Sequence, residues 1–105
     1  MTTYKIAELE GGLLDAAVAK AEGLHPFNHE RGGQCWIGGS STVYEPSIEW
    51  AVGGPIIERE RIDLIRLRNQ SPMASVRAVI AYGPTPLIAA MRAYATSKFG
   101  NEIEL

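Results

Sequence analysis

An α+β fold follows from three features of this sequence: a capped helix near the end, an alanine-rich helix near the start, and an antiparallel hairpin between them. The late helix is the best marked. In Tyr82-Gly83-Pro84-Thr85-Pro86 the Thr85 hydroxyl can accept a bond from an early backbone N–H, and Pro86 suits the first helical position. Leu87, Ile88, Ala89, Ala90 and Met91 are good or tolerable helix formers, so a helix is predicted from Pro86 to Lys98, with Gly100 as its C-cap. Ile88, Met91, Ala95 and Phe99 would line its buried side, with Arg92 and Thr96 on the far side.

The early helix is predicted over Leu13 to Glu22. Leu14, Ala17, Val18 and Ala21 fall on one stripe, Asp15 stands near the positive end of the macrodipole, and Gly23 can take the left-handed closing conformation. Before it, residues 3–9 alternate weakly and carry Tyr4 and Ile6, which predicts a strand broken by Gly11-Gly12. Ile62–Arg68 and Ser75–Tyr82 read as two strands of a hairpin around the turn Asn69-Gln70-Ser71-Pro72. The prediction is a small antiparallel sheet packed by two helices. The tail 101–105 is polar and expected to fray.

Residues 24–55 read differently. Seven of the eleven glycines lie between Gly23 and Gly54, which argues for loop rather than regular structure. Yet Phe27, Trp36, Tyr44 and Trp50 make the stretch too aromatic for a disordered linker. It reads as a long ordered Gly/Trp-rich loop with short strands at Gln34–Ile37 and Thr42–Tyr44, either a binding element or a lid on the core. Pro55 opens a helical turn or precedes a strand.

A chain of 105 residues suits one domain, 1–105. Its 46% apolar and 21% charged content is that of a globular chain, and no window offers the roughly 18 apolar residues a membrane helix needs. Met1-Thr2-Thr3-Tyr4-Lys5 is not the start of a secretory signal, and Cys35 is the lone cysteine, so a cytoplasmic location without disulfides is expected. A formal charge of -2 argues against a dedicated duplex-DNA binder.

Three segments carry a family resemblance. They are Leu13-Leu14-Asp15-Ala16-Ala17-Val18-Ala19-Lys20-Ala21-Glu22-Gly23, the run from Tyr44-Glu45-Pro46-Ser47-Ile48-Glu49-Trp50 through Gly53-Gly54-Pro55 to Glu60, and Gly83-Pro84-Thr85-Pro86-Leu87-Ile88 to Arg92 with the Ser97-Lys98-Phe99-Gly100 ending. Together they resemble the small NinX-like proteins encoded by tailed bacteriophages and prophages. The likeness covers most of the chain in order, diverging around His25–Gly33 and Asn69–Ala74. It implies phage or prophage origin and expression in the bacterial cytoplasm. It implies no activity and transfers no catalytic residue.

Chemical constellations are sparse. His25, His29 and Cys35, with Glu30, are the candidate metal ligands, but Pro26 and the glycines before Cys35 fit no zinc spacing, so no metal, cofactor or catalytic residue is assigned. Cys35 between Gln34 and Trp36 reads as a core residue. Gly53-Gly54 could admit a ligand close to the backbone, with Trp50 near enough to stack, but lacks the Walker lysine. Glu58-Arg59-Glu60-Arg61 reads as the guard of an edge strand.

The candidate surface is therefore Trp36, Tyr44, Trp50, Gly53, Gly54, Glu58 and Arg59, with Arg66 and Arg68 beside it. The leading reading is a non-enzymatic accessory protein that binds a protein partner or itself, since aromatic residues are enriched at interfaces; a homo-oligomer is expected. One alternative is a single-stranded nucleic-acid accessory protein gripping its ligand through arginines and tryptophans. The other is a small nucleotide- or metabolite-binding enzyme. No membrane partner is expected.

Overall fold

The structure, a computed structural model, describes residues 2–27, 29, 33–38 and 42–105. Among these, the elements in chain order are β1 (Thr3–Lys5), a 3-10 turn (Ile6–Glu8), α1 (Gly11–Ala21), β2 (Pro26–Phe27), β3 (Trp36–Ile37), α2 (Trp50–Glu60), β4 (Asp63–Ile65), β5 (Met73–Val76), β6 (Val79–Tyr82), α3 (Pro86–Phe99) and β7 (Glu102–Glu104). Small antiparallel sheets and helices share one α+β architecture.

α3 is the axle. Thr85 Oγ1 accepts the Ile88 N–H at 3.1 Å and Pro86 opens the helix. Leu87 through Ala95 are all buried, so the helix is enclosed on every side rather than along one stripe. Its alanines allow this: Ala89, Ala90, Ala93 and Ala95 are fully buried and let α1, α2 and the sheet approach from different directions. Arg92, expected on a solvated far side, is instead buried, donating from Nε to the Leu9 carbonyl and from Nη1 to the Tyr82 carbonyl, both at 2.8 Å. Burial is tolerable because those donors meet fixed carbonyls.

α1 forms where its stripe predicts, but it starts at Gly11 rather than Leu13. The Gly11-Gly12 pair is the first turn and not a break: a Cβ on Gly12 would collide with the Gly33 carbonyl, so the helix start needs a bare backbone there.

Three further expectations are corrected. The opening strand stops at Lys5, and Ile6–Glu8 turn into a 3-10 segment that buries Ile6. The tail does not fray: Thr3↔Glu104, Tyr4↔Ile103 and Lys5↔Glu102 pair β1 with β7, and Ile103 and Leu105 are buried. The segment 75–82 is not one strand. Arg77 and Ala78 both take positive φ (47° and 67°) and fold it into a tight hairpin, β5 against β6. With β4 added through Asp63↔Ser75, Leu64↔Ala74 and Ile65↔Met73, the sheet is three-stranded in the order β4-β5-β6.

The largest correction is α2. The expected loop ends at Glu49, and Trp50-Ala51-Val52-Gly53-Gly54-Pro55-Ile56-Ile57-Glu58-Arg59-Glu60 is helical, giving three helices among the described residues instead of two. Glu58–Glu60 is thus the last helical turn, closed by Arg61 in the left-handed conformation, and not an edge strand. Packing overrides composition here: Ile56 is buried in the core, and Gly53 sits where a side chain would collide with the Pro46 carbonyl and Leu87. The short strands of the preceding loop are smaller than expected, Trp36–Ile37 paired with Pro26–Phe27 and a single bridge from Trp36 to Val43. The paired glycines at 32 and 39 and the candidate ligand Glu30 lie outside the described residues.

Candidate functional site

The turn from Glu45 to Trp50 is built on a buried acid. Asp15, inside α1, is almost wholly enclosed and accepts the Ser47 backbone N–H at Oδ1 (2.8 Å). Burial drives its carboxyl up to about 6, against the opposing pull of Ser47 and with a small further push from Glu45. Pro46 and Ser47 are buried with it; the Ser47 hydroxyl lies near enough to the Asp15 carboxyl to help lower it, but among the described residues it makes no hydrogen bond of ordinary geometry. The Glu45 carbonyl accepts from Ile48 and Glu49, and the Glu49 carbonyl accepts from Val52 and Gly53, which passes the turn directly into α2. Gly53 closes the base by packing on Pro46.

What this base holds up is apolar. Ile48 is 62% exposed and Trp50 53% exposed, two positions apart on this hydrogen-bonded turn with exposed Glu49 between them. Gly54 faces open space one turn into the helix and Glu58 is exposed. Trp36 and Tyr44 are half-buried rather than displayed, and Tyr44 packs on the core. Burial, reinforced by the charges of Glu22 and Asp15, pushes the Tyr44 phenol well above its ordinary range, so it stays neutral. The expected surface thus divides: Trp50, Gly54 and Glu58 face solvent, Gly53 lies in the base, and Trp36 and Tyr44 line the edge of the core. Ile48, absent from the expected set, is the residue that sequence reasoning missed; a large apolar side chain two positions before Trp50 was the available signal.

Arg59 is committed elsewhere. Its guanidinium grips the Glu22 carboxylate with both terminal nitrogens (3.0 and 2.6 Å), reaches the Tyr94 hydroxyl at 3.2 Å and donates through Nε to Glu60 at 2.7 Å. Tyr94 O–H donates to Glu22, and Arg77 in the hairpin turn donates to the other oxygen of Glu60. The network ties the end of α1, the end of α2, the middle of α3 and the β5–β6 turn together. Burial alone would raise the Glu22 carboxyl, but the Arg59 and Tyr94 hydrogen bonds and the Arg59 charge outweigh it and hold it low. The Arg59 and Arg77 hydrogen bonds lower Glu60, and burial with the Glu22 bond raises the Tyr94 phenol. The arrangement is a stapling network whose charges are mutually satisfied. Arg66 and Arg68 stand apart from it, exposed beyond β4 with Leu67 between them.

Cys35 is buried, its thiol pushed up to about 12 by burial and by the Asp15 charge, so it is held as a thiol at neutral pH. His25 is exposed while His29 is buried, its Nδ1 without a hydrogen-bond partner among the described residues. Among the described residues no group of three His, Cys, Asp or Glu is placed to hold a metal ion.

The architecture and this site define a small α+β protein, and among the described residues no helix is long and apolar enough to cross a membrane. The family described as Bacteriophage P22, NinX matches residues 5–98, and the chain belongs to that family. Membership makes it a phage accessory protein. No curated protein matches the chain.

Proposed function

We propose that this phage protein is a non-enzymatic module, acting as a single domain in the cytoplasm of the bacterial host, that docks a protein partner through the turn carrying Ile48 and Trp50. The observation behind the reading is the contrast between base and tip: two large apolar side chains exposed to water on a turn whose base is buried and hydrogen-bonded to Asp15. Rigid, exposed aromatic anchors are the residues that dominate binding energy, because little conformational entropy is lost when they are covered. Glu49 and Glu58 supply a polar rim. Arg59 serves the reading indirectly, by fixing α2 against α1 and α3.

The test is co-purification from phage-infected cells followed by reconstitution with the recovered protein. Trp50→Ala and Ile48→Ala are expected to weaken the reconstituted complex at least about tenfold each, the loss typical of an anchor, while Leu67→Ala, an exposed residue elsewhere, leaves it intact. A complex indifferent to both anchor substitutions removes the reading. Binding of a single-stranded oligonucleotide at low salt that disappears in Arg66→Ala/Arg68→Ala replaces it with the nucleic-acid alternative.

A further inference from the structure

The three-stranded sheet has two edges, and the sequence treats them differently. β4 carries Asp63 and is flanked by Arg61, Arg66 and Arg68, all exposed. Charges of this kind keep foreign strands from pairing. β6 reads Val79-Ile80-Ala81-Tyr82, with neither charge nor proline, and forms the opposite edge. The two-residue turn fixes which of its backbone groups are free. Val76↔Val79 and Ala74↔Ala81 face each other as the closely bonded pairs, so Ile80 and Tyr82 turn their N–H and C=O groups away from β5. The Tyr82 carbonyl is taken by Arg92; among the described residues no strand lies beside the Ile80 groups. The Ile80 and Tyr82 side chains are 57% and 55% exposed, and a groove of about 1030 Å³ runs beside the edge, lined in part by Ile80, Tyr82, Thr96 and Phe99.

We infer that β6 pairs antiparallel with β6 of a second copy of this chain, about a two-fold axis at Ile80, making one continuous six-stranded sheet. The edge is self-complementary in that register: the Ile80 N–H and C=O of each copy meet the same groups of the other, as a two-fold interface requires. The charges at its two ends also match. Because Arg92 binds the carbonyls of Tyr82 and Leu9 together, exposed Glu8 and Glu10, flanking Leu9, stand at the Tyr82 end of β6. Arg77 stands at the Val79 end, in the turn, half exposed although its Nη2 donates to Glu60. Antiparallel pairing carries the Arg77 of each copy toward the Glu8 and Glu10 of the other. Parallel pairing sets like ends together and loses that match. This surface is separate from the Ile48–Trp50 turn, so the inference goes beyond the docking function and stands or falls without it.

Light scattering over a concentration series tests it, with hydrogen exchange at the Ile80 amide. The expected result is twice the chain mass for the wild type and for Trp50→Ala, and a single-chain mass for Ile80→Lys and Ile80→Pro. Proline at this position removes only an outward N–H, which edge strands tolerate. The Ile80 amide should be protected in the wild type and exchange freely in Ile80→Lys. If either Ile80 variant fails to fold, a charge swap decides. Arg77→Glu and Glu8→Lys/Glu10→Lys each weaken their own dimers, and an equimolar mixture restores pairing as a heterodimer. A wild type that stays single at every concentration overturns the inference, as does a dimer that survives both Ile80 substitutions. So does a mixture with no preference for the heterodimer. A single chain that instead takes up an extended peptide at this edge assigns the groove to a different partner and likewise overturns it.

Discussion

The Asp15 carboxylate and the Ser47 backbone N–H meet at 2.8 Å across 32 positions of sequence, and this bond fixes the base of the exposed turn. A buried acid is an uncommon anchor, because the charged form loses its water. It makes the turn's support sensitive to pH in a definite direction.

Between its ordinary value of 3.8 and about 6, Asp15 is ionised in the unfolded chain but holds its proton in the folded one. The folded state then binds more protons, so the Asp15 contribution is full below 3.8 and is lost as pH rises through 6. Glu22 and Glu60 act oppositely: their lowered carboxyls stabilise above 4.5, and that contribution is lost as acid protonates them. Stability should therefore peak on the acid side of neutral. Asp15→Asn keeps an acceptor for Ser47 and gives the Ser47 hydroxyl a possible donor. It should flatten the decline from pH 5 to pH 7.5 and raise neutral-pH stability by on the order of 2 kcal/mol. Urea melts of both proteins at the two pH values measure this; an equal decline in the variant would falsify the assignment to Asp15.

Tyr94→Phe removes one hydroxyl that both donates to Glu22 and accepts from Arg59 while leaving the ring in place. A loss of about 1–2 kcal/mol is expected. Because the Glu22 carboxyl is held low partly by this bond, its pKa, followed by NMR, should rise in the variant. An unmoved Glu22 titration would show that Arg59 alone sets it.

Adjacent glycines in α2 should respond in opposite senses. At Gly53 a methyl group meets the Pro46 carbonyl and Leu87, so Gly53→Ala is expected to cost about 1–3 kcal/mol. At Gly54 it meets open space inside a helix, so Gly54→Ala should stabilise by about 0.5–1 kcal/mol. Thermal melts of the two variants decide the matter, and melting points shifted in the same direction would contradict the packing of α2 on the Pro46 turn.

Arg92→Met keeps the buried stem but strips both hydrogen bonds from the Leu9 and Tyr82 carbonyls. Two carbonyls lose charged partners, and a loss of about 2–4 kcal/mol is expected. Faster hydrogen exchange in β6 than in β4 would mark the tether as local to that strand; uniform acceleration would mark it as global.

Much of the architecture is legible in the sequence, for reasons that are local. α3 announces itself through Thr85 and Pro86, and α1 through its alanine-rich stripe, because caps and periodicity act over a few residues. α2 is obscured by Gly53, Gly54 and Pro55, each a poor helix former, and is stabilised by contacts with Pro46 and Leu87 that no short window contains. Val52, Ile56 and Ile57 at helical spacing were the signal available. The β5–β6 turn is obscured because Arg77-Ala78 lacks the Asn-Gly or Asp-Gly signature of such turns. Of the candidate surface, exposed Trp50 and buried Gly53 looked alike in sequence; only the fold puts one in water and the other against a carbonyl.

The pairing of β1 with β7 lays Thr2 beside Leu105, each donating its amide to the other's carbonyl at 3.0 and 2.9 Å. A brief glycine-serine splice could therefore close the polypeptide into a ring, and a fresh opening at the exposed stretch 66–71 would yield a rearranged molecule with the same interior. The same adjacency means that labels fused at both ends would report on a single spot of the surface.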